Sequence, residues 1–270
     1  MPYHHPENAK PITISTLKQY KQANQKFSCL SLYDAHTSAI AAQQGIATLL
    51  VGDSLGMTVQ GHNSTLPVTM AHMIYHTEAV TRGNDFSFII ADMPFMSYST
   101  PEQAMSNAAQ LMQAGAHMVK MEGGAWLTET VQKLTERGIP VCAHLGLTPQ
   151  SVNKLGGYSV QGRDDTQANI ILEDAKALES AGADLIVLEC VPSSLANTLT
   201  DTLRIATIGI GAGKGTDAQV LVVNDLIGLT QQPPKFSKNF LAETGSISSA
   251  FKAFDDQVKN GEFPSEQQSF

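Results

Sequence analysis

In "TLLVGDSLG", Thr48 to Gly56, an apolar run stops at a glycine, a carboxylate and a hydroxyl, and the chain then turns through Leu55 and Gly56. A carboxylate at the end of such a buried-looking segment needs a reason, and the pattern recurs. "SFIIAD" (87–92) ends in Asp92, "HMVKME" (117–122) in Glu122 and "DLIVLE" (184–189) in Glu189. Four further runs share the length and the β-rich composition: "FSCLSLY" (27–33), "PVCAHL" (140–145), "ATIGIG" (206–211) and "QVLVVND" (219–225). Most are continuously apolar, as expected of parallel strands covered on both faces.

Helical segments lie between them. In "STPEQAMSNAAQLMQAG", Thr100 suits an N-cap, Pro101 the first helical position and Gln103 a capping box, with Gly115 closing the end. "DTQANIILEDAKALESAG", "AHTSAIAAQQG" and "VTMAHMIYHTEAVTRG" end likewise at Gly182, Gly45 and Gly83. Eight strands with helices between them predict a (β/α)8 TIM barrel, with a doubly wound open sheet as the competing fold. A helix is expected near 14–24 and a C-terminal helical extension near 240–260, in a single domain over 1–270 whose first 12 residues form a flexible tail.

Composition narrows the function. A formal net charge of −8 offers no electrostatic footprint for nucleic acid or an anionic membrane. No run approaches the roughly 18 apolar residues of a membrane span. The start, "MPYHHPENAK", lacks a signal-peptide core, which argues against export. Cys29, Cys142 and Cys190 are far apart and set in apolar runs, so they read as reduced, buried thiols of a cytoplasmic protein.

In a (β/α)8 barrel the chemistry gathers at the C-terminal ends of the strands. That filter selects Asp53 with Ser54, Asp92, Lys120 with Glu122, His144 and Glu189. One strand-end Asp usually caps the next helix, but several desolvated carboxylates in one mouth repel each other unless a cation sits among them. Oxygen ligands without Cys or His suit a hard ion, so Asp53, Asp92 and Glu122 are candidate Mg²⁺ ligands. Lys120, two residues from Glu122 on one strand face, reads as a point charge for an oxyanion, with a Schiff-base role as the alternative. Glu189, between "LIVL" and "CVP", suits a general base for a carbon acid, or an anchor for a neighbouring group. His144 in "AHLGLTP" suits a hydrogen bond to a substrate oxygen, or a bridge between loops. "GIGAGKG" (209–215) lacks the full dinucleotide spacing, and His72 and His76 read as packing or surface residues.

These stretches resemble the 3-methyl-2-oxobutanoate (ketopantoate) hydroxymethyltransferase family. "LLVGDSLGMTVQGHNSTLPVT", "ADMPFMSY", "AGAHMVKMEGG", "PVCAHLGLTPQSVNKLGGYSVQGR", "LIVLECVP", "IGIGAG" and "PPKFSKNF" carry the resemblance over nearly the whole chain. It implies a barrel of the phosphoenolpyruvate mutase/isocitrate lyase type, and hydroxymethyl transfer from 5,10-methylenetetrahydrofolate to 3-methyl-2-oxobutanoate through a Mg²⁺-stabilised enolate. By the same resemblance Asp53, Asp92 and Glu122 hold the metal. Asp53, Ser54, Asp92 and Lys120 contact the keto acid, and Glu189 is the proton acceptor. A cytoplasmic homodecamer is implied as well. Asn63, Ala143 and "QQPPKF" depart from the family's usual residues without touching the ligands or the base. A Mg²⁺-dependent lyase or mutase acting on another 2-oxo acid is the alternative. A Lys120 Schiff-base aldolase and a catalytically dead scaffold stand further off.

Overall fold

The structure, a computed structural model, describes residues 10–270. Eight parallel strands pair in sequence order and close on themselves. They are β1 (Phe27–Ser31), β2 (Thr48–Val51), β3 (Phe88–Asp92), β4 (Met118–Glu122), β5 (Val141–Gly146), β6 (Leu185–Glu189), β7 (Ala206–Ile210) and β8 (Ala218–Val222). The seam pairs β8 with β1, with Cys29 opposite Val220. The barrel is therefore closed, and the open sheet falls away.

Strand alternation sorts the side chains into two cores. Cys29, Ile90, Met118, Cys142, Val187 and Val220 meet inside the barrel. Leu30, Ala91, Val119, Ala143, Ile186 and Leu221 pack in the layer shared with the helices. Burial of both faces explains why the runs read as unbroken. The inward parity continues to the strand ends, where polar residues take over: Asp92 stands two beyond Ile90, Lys120 two beyond Met118, His144 two beyond Cys142 and Glu189 two beyond Val187.

The main helices are α1 (Ile14–Gln22), α2 (Ala35–Gln43), α3 (Met70–Arg82), α4 (Pro101–Gln113), α5 (Thr128–Thr135), α6 (Asp165–Ser180), α7 (Ser193–Thr202) and α8 (Ile247–Lys259). Thr100 caps α4 as expected, its Oγ1 accepting from Gln103 N at 3.2 Å. Gln103 Oε1 instead accepts from Ser99 N at 3.0 Å, so that box closes one residue early. Asp34 is a plain helix cap, accepting from His36 N at 2.8 Å and Thr37 N at 3.0 Å. His72 and His76 do local work, His72 within the α3 capping box and His76 Nδ1 at 2.8 Å from Tyr33 O.

The helical ring departs from expectation after β7, where residues 211–217 reach β8 with no helix. A Cβ on Gly213 would overlap Ser193, and one on Gly215 would overlap Asn197, so the glycines of "GIGAGKG" let this crossover lie tightly on α7. The expected C-terminal helix is two pieces, Leu241–Thr244 and α8. α8 packs against β1 and α2 and takes the place of the helix that follows β8. Its Phe251 and Phe254 are fully buried, and Ser28 Oγ donates to its Asp255 Oδ1 at 2.6 Å.

The N-terminal end of the barrel is stoppered by α1. Leu17, fully buried, joins Ile12 and Phe27 in the interior cluster, a burial worth about 1.5–3 kcal/mol. Lys21 Nζ donates to Asp217 Oδ2 at 2.9 Å and to Thr200 O at 2.8 Å. Of the expected tail, residues 1–9 lie outside the described residues. Ile12 is packed, its N–H donating to Phe86 O at 2.8 Å. Among the described residues no helix is long and apolar enough to cross a membrane.

Candidate active site

At the C-terminal ends of the strands the barrel opens into a cavity of about 1100 Å³. Asp53, Ser54, Asp92, Lys120, Glu122, His144 and Glu189 all line it, so the strand-end residues do converge. Gly52 makes the bend that delivers Asp53 there. A Cβ on it would stand 2.7 Å from Ser54 Oγ and 3.1 Å from Ser31 Oγ. Ser54 Oγ is fixed 2.8 Å from the Tyr33 hydroxyl.

The polar groups interlock. Lys120 Nζ donates to Asp92 Oδ1 at 2.6 Å, and Asp53 N donates to Asp92 Oδ2 at 3.1 Å. His144 Nδ1 lies 3.4 Å from Glu122 Oε1 and its Nε2 lies 3.3 Å from Glu189 Oε2. Neither ring nitrogen has the alignment of a hydrogen bond. His144 thus stands between the two carboxylates rather than turning a nitrogen to open cavity. The chain leaves Glu189 through Cys190, a non-glycine residue at φ +46°. Cys190 N donates to Ile210 O at 2.8 Å and its carbonyl accepts from Gln161 N at 2.9 Å, holding that left-handed kink. All three cysteines are free and buried.

The electrostatics follow from burial and crowding. Burial, then Asp92 and Glu122, push the Asp53 carboxyl well above its ordinary range. Burial also raises Glu122, but His144 and Lys120 outweigh it and leave its pKa lowered. For Lys120 burial acts downward, and the carboxylates Asp92, Glu122 and Asp53 override it and keep the ammonium charged. Burial and Lys120 lower His144, yet Glu122 and Glu189 lift it to about 9. With Asp53 ionised, four carboxylates face two cations, leaving an excess of negative charge that a divalent cation would cancel.

Among the described residues no three His, Cys, Asp or Glu side chains form a ready-made metal cage. Mg²⁺ typically keeps several waters and binds through one or two carboxylates plus substrate oxygens. The donor set fits a hard ion of this kind and not a thiophilic one.

Two residues that strand-end reasoning missed hold the cluster. Gln150, in the turn Pro149–Ser151 after β5, donates from Nε2 to Asp53 Oδ2 at 2.8 Å and from its backbone N to Glu122 Oε2 at 2.9 Å. The Tyr98 hydroxyl donates to Gln150 Oε1 at 2.5 Å. Gln150 lies inside the quoted stretch "PVCAHLGLTPQSVNKLGGYSVQGR", but a loop glutamine carries no spacing signal.

Fold and site together define a (β/α)8-barrel enzyme with an acidic small-molecule site at the C-terminal mouth. Residues 11–266 match the family described as ketopantoate hydroxymethyltransferase, and the chain belongs to that family. It is similar to the 3-methyl-2-oxobutanoate hydroxymethyltransferase of Saccharophagus degradans, 60% identical over 261 residues that span 97% of each chain. Among solved structures, 2,3-dimethylmalate lyase, a PEP mutase/isocitrate lyase superfamily member, matches with a TM-score of 0.56 at 16% identity, over 77% of this chain and 80% of that one. Phosphonopyruvate hydrolase, solved with oxalate and Mg²⁺, matches with a TM-score of 0.62 at 11% identity, over 95% of this chain and 93% of that one. At these identities the two structures speak for the fold alone.

Proposed function

We propose that this enzyme transfers the methylene carbon of 5,10-methylenetetrahydrofolate to 3-methyl-2-oxobutanoate as a hydroxymethyl group, with water supplying the hydroxyl oxygen, giving 2-dehydropantoate and tetrahydrofolate. This is the first committed step toward pantothenate and coenzyme A. The observation that carries the reading is the family match, with 60% identity to a relative of that name along the whole chain. The lyase and mutase alternative is not favoured, because its structures resemble this chain at only 11–16% identity.

In this reading Asp53 and Asp92 hold Mg²⁺, with Glu122 as the third metal-side carboxylate. The bound ion supplies a Lewis acid for the keto acid's oxygens. Ser54, steadied by Tyr33, contacts the keto acid, and Lys120 lends a positive charge where negative charge develops on its oxygen. Glu189, at the cavity edge, removes the proton from C3. His144 sets the orientation of Glu189 against Glu122, and the substrate contact expected of it requires that it turn one nitrogen from a carboxylate. The folate co-substrate occupies the outer cavity, whose volume far exceeds a five-carbon keto acid. We assign the enzyme to the cytoplasm as a homo-oligomer, a decamer on the family resemblance.

The test is exchange of the C3 proton of 3-methyl-2-oxobutanoate in D₂O, followed by NMR with tetrahydrofolate present, with and without EDTA. Exchange is expected to need metal and to fall by roughly 10²–10⁴ in Glu189→Gln, the usual contribution of a general base. Exchange that survives chelation, or that ignores Glu189, overturns the mechanism.

A further inference from the structure

We infer that Gln150 is the positioning residue that aims Asp53 and Glu122 at the metal, and that Tyr98 in turn fixes Gln150. The inference rests on the reading of the acidic mouth as a metal site. Gln150 is buried, and every polar atom of its side chain is engaged. Nε2 donates to Asp53 Oδ2 at 2.8 Å and to Met93 O at 2.9 Å, while Oε1 accepts from the Tyr98 hydroxyl at 2.5 Å. This pattern also settles which way the amide faces. A flipped amide would set its oxygen against a carboxylate and a carbonyl, both acceptors. The backbone N–H of Gln150 adds the bond to Glu122 Oε2 at 2.9 Å. Tyr98 is anchored from behind, where Glu122 N donates to its hydroxyl oxygen at 3.4 Å.

One residue therefore takes one oxygen of each of two buried carboxylates that come from different strand ends, and ties them to the loop after β3. The chemistry of the clamp matters as much as its geometry. An amide and a peptide N–H orient carboxylates without cancelling their charge. Lysine or arginine at the same place would hold them as firmly and neutralise the charge that attracts a dication. Lys120 already supplies one ammonium to Asp92. A second would remove the reason for an ion to bind. Partners that orient metal ligands typically change metal affinity about 10–100-fold when removed.

The experiment is Mn²⁺ binding by the full-length, metal-free protein, read from the loss of the free-ion EPR signal. Wild type, Gln150→Leu and Tyr98→Phe are compared, with folding checked by circular dichroism. Gln150→Leu keeps the bulk, removes the amide and leaves the backbone donor. Its Mn²⁺ affinity is expected to fall about 10–100-fold. Tyr98→Phe is expected to weaken binding several-fold, and in both variants C3 proton exchange should recover as metal is raised. Affinity within twofold of wild type in both variants overturns the inference. If Gln150→Leu does not fold, Tyr98→Phe decides alone on the same criterion. Wild type that binds no Mn²⁺ overturns the metal reading beneath it, an outcome distinct from the first.

Discussion

Lys120 Nζ lies 2.6 Å from Asp92 Oδ1, with both side chains about 95% buried. Buried ion pairs contribute little net stability, but breaking one by removing a single partner typically costs about 3–5 kcal/mol. The surrounding carboxylates keep this lysine an ammonium, which is a poor nucleophile toward a ketone. Borohydride treatment with 3-methyl-2-oxobutanoate should therefore leave the mass of the protein unchanged. Lys120→Met should lower kcat by about 10²–10³, the usual loss for a group that stabilises an oxyanion. A reduced keto-acid adduct in the mass spectrum would reassign Lys120 as a Schiff-base former.

Gly52 leaves no room for a side chain between Ser54 and Ser31. Both neighbours are hydroxyls at the tips of side chains, so they can move aside, but Ser54 would then leave Tyr33. Gly52→Ala should fold with a melting temperature close to wild type. Its kcat/KM for the keto acid should drop by about tenfold, the equivalent of one ordinary hydrogen bond. Unchanged kinetics would show that the Tyr33–Ser54 contact is irrelevant to the substrate.

Asp225 gives a pH prediction. Burial raises its pKa, and the hydroxyl of Thr230, 2.5 Å away, opposes this only in part. A carboxyl raised in the folded state binds its proton more tightly there than in the unfolded chain. Its favourable contribution is full below the unfolded value, about 3.9, and is lost as pH rises through the folded value. Asp225→Asn should match wild type in urea melts near pH 4 and exceed it at pH 7. A stability gap that narrows with rising pH would contradict the burial argument.

Leu17 tests the stopper at the N-terminal end of the barrel. Leu17→Ala should cost about 2–5 kcal/mol in urea unfolding, the range for a fully buried leucine. Activity per folded molecule should be kept, since the site lies at the opposite end. A loss of activity in folded protein would reveal coupling along the barrel axis.

Much of this was legible in the chain because parallel strands buried on both faces read as short continuous runs that end where the chemistry begins. Six of the eight strands lie within the expected runs, β5 and β8 each pass theirs by one residue, at Gly146 and Ala218, and the residues at the strand ends share one cavity. What escaped was set by distance or by length. Gln150 meets Asp53 across 97 positions of sequence, from a loop without periodicity. The missing helix after β7 was masked by a glycine pattern that attracts attention as a nucleotide loop. The role of α8 depends on closure, because only a barrel brings the last helix back to β1.

The shared parity of core and site has a consequence for insertions and deletions. One residue added at the start of β4 would turn Lys120 and Glu122 toward the helices and bring Val119 and Met121 into the mouth. The same slip would set Met118 among the outer side chains. Length changes inside the strands thus damage folding and catalysis in a single event. Length changes in the loops at the opposite end are free of this double penalty. In this barrel, indel tolerance maps the boundary between scaffold and spacer, and no strand position that bears the chemistry lies on the tolerant side.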